Sequence, residues 1–322
     1  MPSIYTHYNF SKDVYKTLDK NIQKKLDKSI DYYYMFSQSF DYFMYYNFLS
    51  LKPGKKIRDF QDITHDNYIN DYFINIINYI KDNNLQNNSE VLSYLYGSLN
   101  HYTLDSTCHP FINYYSKSKN KSFKYKSYHV KNEAMIDAYF YNLNTNKDYA
   151  DYKLYKDIIP KLKFSKELKE TMDNVYEKTF NYKNIGKTYE KSYNQSYNIY
   201  KYLVYDKSGI KKVAYKIVDY LTFFKPGKIQ YFSFHIKDID KSILNLNHDK
   251  WYYPNNKEIS STESFIDLYN KSIKKASKLI EIANSILNNK TEIKQLTDLI
   301  ADLSYATGLD WHNKNKIEIY KY

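Results

Sequence analysis

The chain has 322 residues, enough for one large domain or two ordinary ones, and 43% of them are hydrophobic, which is near the norm for globular proteins. This composition excludes a disordered chain. A formal net charge of +12 favours anionic partners such as phospholipid headgroups, nucleic acid or phosphate esters, without choosing among them. No block of lysine and arginine is long enough to be a nucleic-acid arm.

The low content of glycine and proline, six of each, favours long helices over many short strands. We therefore expect an all-α fold. The first residues, MPSIYTHYNFSKDVYKTL, lack a basic stretch followed by an apolar run, and no run approaches the roughly 20 apolar residues of a membrane span. We expect a soluble, cytoplasmic protein. The single Cys108 is consistent with a reducing compartment, and we assign it no chemistry.

The spacing of apolar residues predicts several helices in chain order. They lie near residues 10–30, 65–83, 89–109, 127–142, 149–182 and 186–225, with a last long helix from Phe265 through Ile286. Between the first two, 31–50 is expected to hold a break followed by a buried helix or loop, and 115–127 a polar loop.

Capping residues and proline set the expected helix boundaries. Ser11 is a candidate cap for the first helix, and Ser260 and Thr262 are candidate caps for the last. Pro110 disfavours the helical conformation at the residue before it, so it is expected to end the helix at 89–109. The stretch 228–239 alternates enough to predict a short strand.

Two of the eight histidines lie eight residues apart in GSLNHYTLDSTCHPF (97–111), with an aspartate midway. A helix advances about 100° per residue, so His101, Asp105 and His109 line one stripe of the predicted helix.

The next predicted helix repeats this pattern with His129, Glu133 and Asp137. Two such helices packed face to face would bring six nitrogen and oxygen ligands together in a bundle core. Burying so many polar groups without a cation would be costly. Nitrogen and oxygen ligands without thiolate suit a catalytic zinc site, with iron or manganese as alternatives.

Three motifs, HYTLDSTCHP, YHVKNEAMID and THYNFSKDV, resemble the zinc-dependent phospholipase C family, in which an all-helical domain holds three zinc ions in a cleft. The resemblance is best over residues 1–140. The stretch KWYYPNNKEISSTESFIDLY (250–269) is similar to the C-terminal part of bacterial members that lack a secretion signal. We expect a single helical domain over 1–322, with a metal-binding core at about 1–142 and an additional helical region at about 143–322.

The resemblance implies the ligands of each ion. One zinc would be held by Asp41, His65, His101 and Asp105. Asp105 would bridge to a second zinc, which His7 would also hold. The third would be held by His109, His129 and Glu133.

Two departures from the secreted members of the family bear on these sites. Secreted members use an N-terminal tryptophan as a ligand of the second zinc, and this chain has Met1-Pro2 instead. Either removal of Met1 lets the Pro2 amine and carbonyl substitute, or the second zinc is held more weakly. The spacing between Asp105 and His109 is also shorter, which predicts a shifted third site. Asp137 is expected to orient His129 or a neighbouring ligand.

The resemblance implies hydrolysis of a phosphodiester, most simply phospholipase C-type cleavage of phospholipid headgroups by a water that zinc activates. Asp41 is the candidate for orienting or deprotonating that water. The implied partner is a phospholipid or other phosphodiester, with peripheral contact to an anionic membrane.

Two alternatives stay open. A zinc-dependent nuclease or nucleotidase could use the same trinuclear site, and the basic charge and the 41 tyrosines would suit nucleic acid. A metal-stabilised protein without turnover would explain the missing tryptophan.

Overall fold

The computed structural model describes residues 4–116, 123–221, 229–236, 239–254 and 256–312. Helices dominate this part of the chain, which also contains one two-stranded antiparallel sheet. The fold is therefore all-α, as the sequence predicts.

The elements run as follows along the described residues. The α-helices are α1 (Ile4–Thr17), α2 (Lys20–Asp27), α3 (Ile30–Phe36), α4 (Lys55–Asp66), α5 (Ile69–Asp82), α6 (Ser89–Tyr115), α7 (Phe123–Thr145), α8 (Leu154–Asp157), α9 (Lys166–Phe180), α10 (Ile185–Ile199), α11 (Ile210–Leu221), α12 (Phe265–Leu287) and α13 (Ile293–Ile300). Short 3-10 helices span Ser39–Tyr45, Tyr149–Asp151, Gln230–Phe232 and Lys241–Leu244, and a π-helical turn spans Tyr200–Val204. The strands are β1 (Trp251–Tyr253) and β2 (Asn256–Ser261).

Helix α6 is the central element, and it packs against α3, α12, α1 and α7 among others. Gly97 allows α3 to approach closely, because a Cβ atom there would lie 2.6 Å from Phe36 Cβ and 2.7 Å from Tyr33 O. The prediction that Pro110 ends this helix was wrong: α6 continues to Tyr115. Burial of Phe111 and the residues beside it offsets the cost of an internal proline, about 3 kcal/mol.

Other predicted boundaries also moved. Ser11 lies inside α1 and its hydroxyl donates to Tyr8 O, so it caps nothing. His65 lies in the last turn of α4 instead of beginning a helix, because the left-handed Tyr68 separates α4 from α5. Ser264 caps α12 through a capping box with Asp267.

The two-stranded sheet was missed by the sequence analysis. Trp251 pairs with Ser261, and its buried indole donates from Nε1 to Glu263 O at 2.9 Å. The Trp251 ring also packs 5.5 Å from the ring of Phe111 on α6. The predicted strand at 228–239 is absent from the described part of that stretch, where Gln230–Phe232 forms a 3-10 turn.

Tyrosine fills much of the core. The fully buried ones include Tyr33, Tyr42, Tyr72, Tyr94, Tyr96, Tyr102, Tyr176, Tyr189, Tyr193, Tyr200 and Tyr305. These rings pack against one another and against phenylalanine, so they are not available to stack on bases. Among the described helices, none combines the length and apolar character that crossing a bilayer would need.

Candidate metal centre

The polar stripe of α6 lies inside the protein. His101 and Asp105 are buried, and His109 keeps 15% of its side chain exposed. His101 Nε2 lies 3.6 Å from Asp105 Oδ2, and His109 Nδ1 lies 3.5 Å from the same oxygen. His101 and His109, one helical turn before and after Asp105, therefore both direct an imidazole toward its carboxylate.

Asp41 and His65 approach this stripe from two neighbouring elements. Asp41 lies in the 3-10 helix Ser39–Tyr45, which packs on α4. His65 Nε2 lies 3.4 Å from Asp41 Oδ1 and 3.2 Å from His101 Nε2. His65 Nδ1 lies 2.8 Å from the carbonyl of Gln61 and donates to it, which leaves the Nε2 lone pair directed at His101 and Asp41.

His7 reaches the other side of the same aspartate. It lies on α1 and is buried, with Nε2 3.1 Å from Asp105 Oδ1. His65 Nε2 lies 4.0 Å from the second oxygen, Oδ2. Asp105 thus stands between His7 and the group that contains His65 and His101, as expected of a carboxylate that bridges two ions.

Helix α7 supplies the remaining pair. Glu133 Oε1 lies 3.1 Å from His129 Nε2 and 3.2 Å from His109 Nε2. The close spacing of Asp105 and His109 therefore still lets His109 reach this group. All eight predicted ligands lie in one continuous set of contacts, centred on Asp105.

Burial and charge oppose each other in this cluster. Burial alone would raise the pKa of Asp105, but the neighbouring His109, His101 and His7 hold it below its usual range. Burial lowers the pKa of His101 to about 3, so its imidazole stays neutral. Burial also opposes a charge on His109, yet Asp105 and Glu133 raise the pKa of His109 to about 9.

The carboxylates of the other two groups behave similarly. His129 and His109 hold the pKa of Glu133 at about 2 against the effect of burial. The pKa of Asp41 is also held well below its usual range, against burial, with His65 and His101 among the causes. The cluster therefore offers ionised carboxylates beside imidazole nitrogens, and a divalent cation that binds at His109 displaces the proton that its raised pKa retains.

These residues fit a cluster of divalent cations. Three groups place one donor atom of each member within 4.8 Å of the others: His7, His101 and Asp105; Asp41, His65 and His101; and His109, His129 and Glu133. Asp105 Oδ2 and Glu133 Oε2 are buried and accept no hydrogen bond, which is costly unless a cation contacts them. Imidazole and carboxylate donors without thiolate are those of catalytic zinc sites.

Hydrogen bonds around the cluster fix the orientation of its members. Gln61 Nε2 donates to Asp41 Oδ1 at 2.5 Å, and Gln38 Nε2 donates to Asp41 Oδ2 at 3.1 Å. His109 Nδ1 lies 3.1 Å from the carbonyl of Tyr305, far along the chain. Sequence reasoning missed all three. Gln61, one turn before His65, had a spacing that could have indicated it, whereas Tyr305 acts through its backbone and gives no such signal.

Asp137 was predicted to orient His129 or a neighbouring ligand, and its contacts lie beside the ligand His7. Its carboxylate accepts from the backbone N–H groups of Tyr5 (3.1 Å) and Thr6 (2.9 Å), and from the hydroxyls of Thr6 (2.6 Å) and Tyr149 (3.1 Å). Burial raises the pKa of Asp137 to about 7, against these hydrogen bonds. Asp137 therefore ties α7 to the first turn of α1, next to His7.

The suggested role of Pro2 concerns residues outside those that the structure describes. The three histidines that are not predicted ligands bond elsewhere: His235 to Asp206 O, His248 to Thr262 O and His312 to Asp310.

The comparisons with known proteins agree with this geometry. The chain matches the zinc-dependent phospholipase C family over residues 6–185, which is more than half its length, and the chain belongs to that family. The matched region contains all eight predicted ligands. No curated protein and no solved structure matches the chain significantly.

Proposed function

We propose that the chain is a zinc-dependent phosphodiester hydrolase that cleaves phospholipid headgroups in the manner of a phospholipase C. The position of Asp105 carries this proposal, because its two oxygens face His7 on one side and His65, His101 and His109 on the other. A single carboxylate shared between two sets of imidazoles is the arrangement that a cluster of ions needs. Family membership supports the same chemistry.

Up to three zinc ions would be held by the eight clustered residues. These are His7, Asp41, His65, His101, Asp105, His109, His129 and Glu133. When bound, zinc polarises phosphoryl oxygens and lowers the pKa of water to about 7.

Asp41 is the residue that orients the attacking water and accepts its proton. It is buried and ionised, and Gln38 and Gln61 each hold one of its oxygens, so the carboxylate cannot rotate freely. The water oxygen forms a bond to phosphorus while the bond from phosphorus to the glycerol oxygen breaks. The proton leaves the water for Asp41, and the glycerol oxygen gains a proton from solvent.

The two alternatives differ in structural support. A nuclease would stack bases on exposed aromatic rings. Eleven tyrosines are fully buried, but others such as Tyr202 and Tyr220 are exposed, so the substrate assay decides this alternative. A protein without turnover would not need two glutamines to hold the orientation of Asp41.

One experiment separates the three functions. The purified protein is incubated with phosphatidylcholine vesicles and, separately, with single-stranded DNA, and released phosphocholine and nucleotides are measured. We expect phosphocholine release that ends on chelation of zinc and is absent in His101→Ala. His248→Ala, which changes an exposed histidine far along the chain, is the matched control and should retain activity. Cleavage of DNA alone would favour the nuclease. Absence of both reactions would favour the protein without turnover.

A further inference from the structure

Helix α11 presents an apolar face to solvent. Ile210, Val213, Ile217, Tyr220 and Leu221 are each at least 53% exposed, and Tyr220 reaches 82%. At about 100° per residue, these five side chains fall within roughly 100° of arc on one side of the helix. A surface helix normally turns such a face toward the core, so α11 is oriented the opposite way.

Hydrogen bonds on the inner side fix this orientation. Asp219, which is buried, accepts from the backbone N–H groups of Ile229 and Gln230 at 3.0 and 3.1 Å. The hydroxyl of Tyr215 donates to Leu203 O at 3.0 Å. Turning the apolar face inward would break these bonds and bury polar groups without partners. The hydrogen bonds on the inner side therefore keep the apolar face of α11 exposed.

Lysines border the apolar arc. By the same helical geometry, Lys216 falls on one side of the five apolar residues and Lys211 on the other. Lys216 is exposed, whereas Lys211 is half-buried and its Nζ donates to Tyr205 O at 2.6 Å. The one acidic residue of α11, Asp219, is turned inward. An apolar face with lysines along both edges is typical of helices that lie in the interface of an anionic bilayer.

A second exposed apolar element lies beside this one. Phe48, Leu49 and Leu51 are exposed on the loop that joins the 3-10 helix of Asp41 to α4, which carries His65. The Phe48 ring lies 6.2 Å from the ring of Phe232, in the 3-10 turn that packs on α11. The loop at 48–51 thus lies near α11, and it joins two elements of the candidate metal centre.

We propose that α11 and the loop at 48–51, together called the docking surface, bind the surface of an anionic phospholipid bilayer. The inference rests on the proposed phospholipid substrate. The surface would place the elements that carry Asp41 and His65 against the membrane that supplies this substrate. The lysine borders and the net charge of +12 select an anionic bilayer over a second copy of the chain, whose like charge would repel it.

The test is co-sedimentation of the full-length protein with phosphatidylcholine vesicles prepared with and without phosphatidylserine. We expect binding that is stronger with phosphatidylserine and weakens at high salt. Ile217→Asp should weaken binding at least about tenfold, because it places a carboxylate in the apolar arc. Leu51→Asp should weaken it in the same direction. Ile259→Asp, which changes an exposed isoleucine on β2, outside the docking surface, is the matched control and should bind as the unaltered protein does.

Three results would overturn the inference. The unaltered protein would remain in the supernatant with anionic vesicles, or Ile217→Asp would bind as strongly as the control, or Ile217→Asp would convert a dimer to a monomer in light scattering. Circular dichroism checks that each variant folds. If Ile217→Asp does not fold, Leu51→Asp provides a second substitution for the test. If the protein hydrolyses a short-chain, monomeric phospholipid but does not bind vesicles, the docking proposal is overturned and the proposed function is not. Vesicle binding without any hydrolysis would support docking and count against the proposed function.

Discussion

The backbone carbonyl of Tyr305 lies 3.1 Å from Nδ1 of His109 and accepts a hydrogen bond from it. This bond leaves His109 Nε2 facing Glu133, which is the orientation that metal binding requires. The backbone N–H of Tyr305 also donates to His65 O at 3.0 Å. A loop near the C-terminus, outside the family match at 6–185, therefore supports two of the candidate ligands.

Gly308 gives a way to test this support. Its φ is +64°, and a Cβ atom there would collide with Ser106 O and lie 2.8 Å from Pro110 Cγ. Gly308→Val should push the loop away from α6 and weaken zinc binding about 10-fold to 100-fold, the range for losing a bond that orients a ligand. Zinc affinity is measured by competition with a chelating dye.

Gly209→Val is the matched control for that substitution. Gly209 also has a positive φ, +77°, and a Cβ atom there would lie 2.9 Å from the ring of His235. It should lower stability to a similar extent and leave zinc affinity unchanged. Equal zinc affinity in the two variants would show that the Tyr305 loop does not support the metal centre.

Asp137 is predicted to act on the metal centre through α1. Asp137→Asn would turn an amide N–H₂ toward backbone donors of Tyr5 and Thr6, and the loss should cost about 1–3 kcal/mol of unfolding free energy. Because His7 follows Thr6 directly, we expect the zinc content to fall by part of an equivalent while the other groups stay loaded. Urea unfolding and metal analysis measure the two effects.

Asp219→Asn provides the comparison for Asp137. Asp219 is also a buried carboxylate that accepts two backbone N–H groups, but it lies on α11. A similar loss of stability with full zinc content is expected there. The proposed link from Asp137 to His7 would be wrong if both variants kept all their zinc.

Asp41 and His101 should respond differently to substitution. Asp41→Asn keeps an oxygen that can still contact a cation but removes the proton acceptor, so activity should fall about 10²-fold or more while zinc content falls less. His101→Ala removes a ligand at the centre of two groups and should lose metal and activity together. If Asp41→Asn lost both in equal proportion, its role as the base would be wrong.

Cys108 tests the packing of α6 between the candidate ligands. Its thiol is buried, and burial raises the pKa of that thiol well above its usual value. We therefore expect negligible alkylation by iodoacetamide at pH 8 in the native protein and rapid alkylation in urea, measured by mass spectrometry. Rapid labelling of the native protein would contradict the packing described for α6.

Composition predicted the helical class, and helical spacing places His101, Asp105 and His109 on one stripe wherever the helix ends. His7, Asp41 and His65 were predicted only through the resemblance to the family. It failed at boundaries that tertiary contacts decide. Pro110 lies within α6, where surrounding burial outweighs its local preference.

Long-range contacts were also beyond the sequence. The carbonyl of Tyr305 and the carboxylate of Asp137 act on segments far away in the chain, and neither contact has a local pattern. The strands around Trp251 were missed because their exposed, polar β2 resembles a loop. Cytoplasmic location and the division near residue 142 stay predictions.

The most direct test of the central claim is the metal content of the purified protein, measured by mass spectrometry of the elements together with protein concentration. The eight clustered side chains predict more than one and up to three zinc ions per chain, with a clear loss in His101→Ala and none in His248→Ala. A protein that is folded and contains no zinc or other transition metal, even after incubation with zinc, would contradict the account.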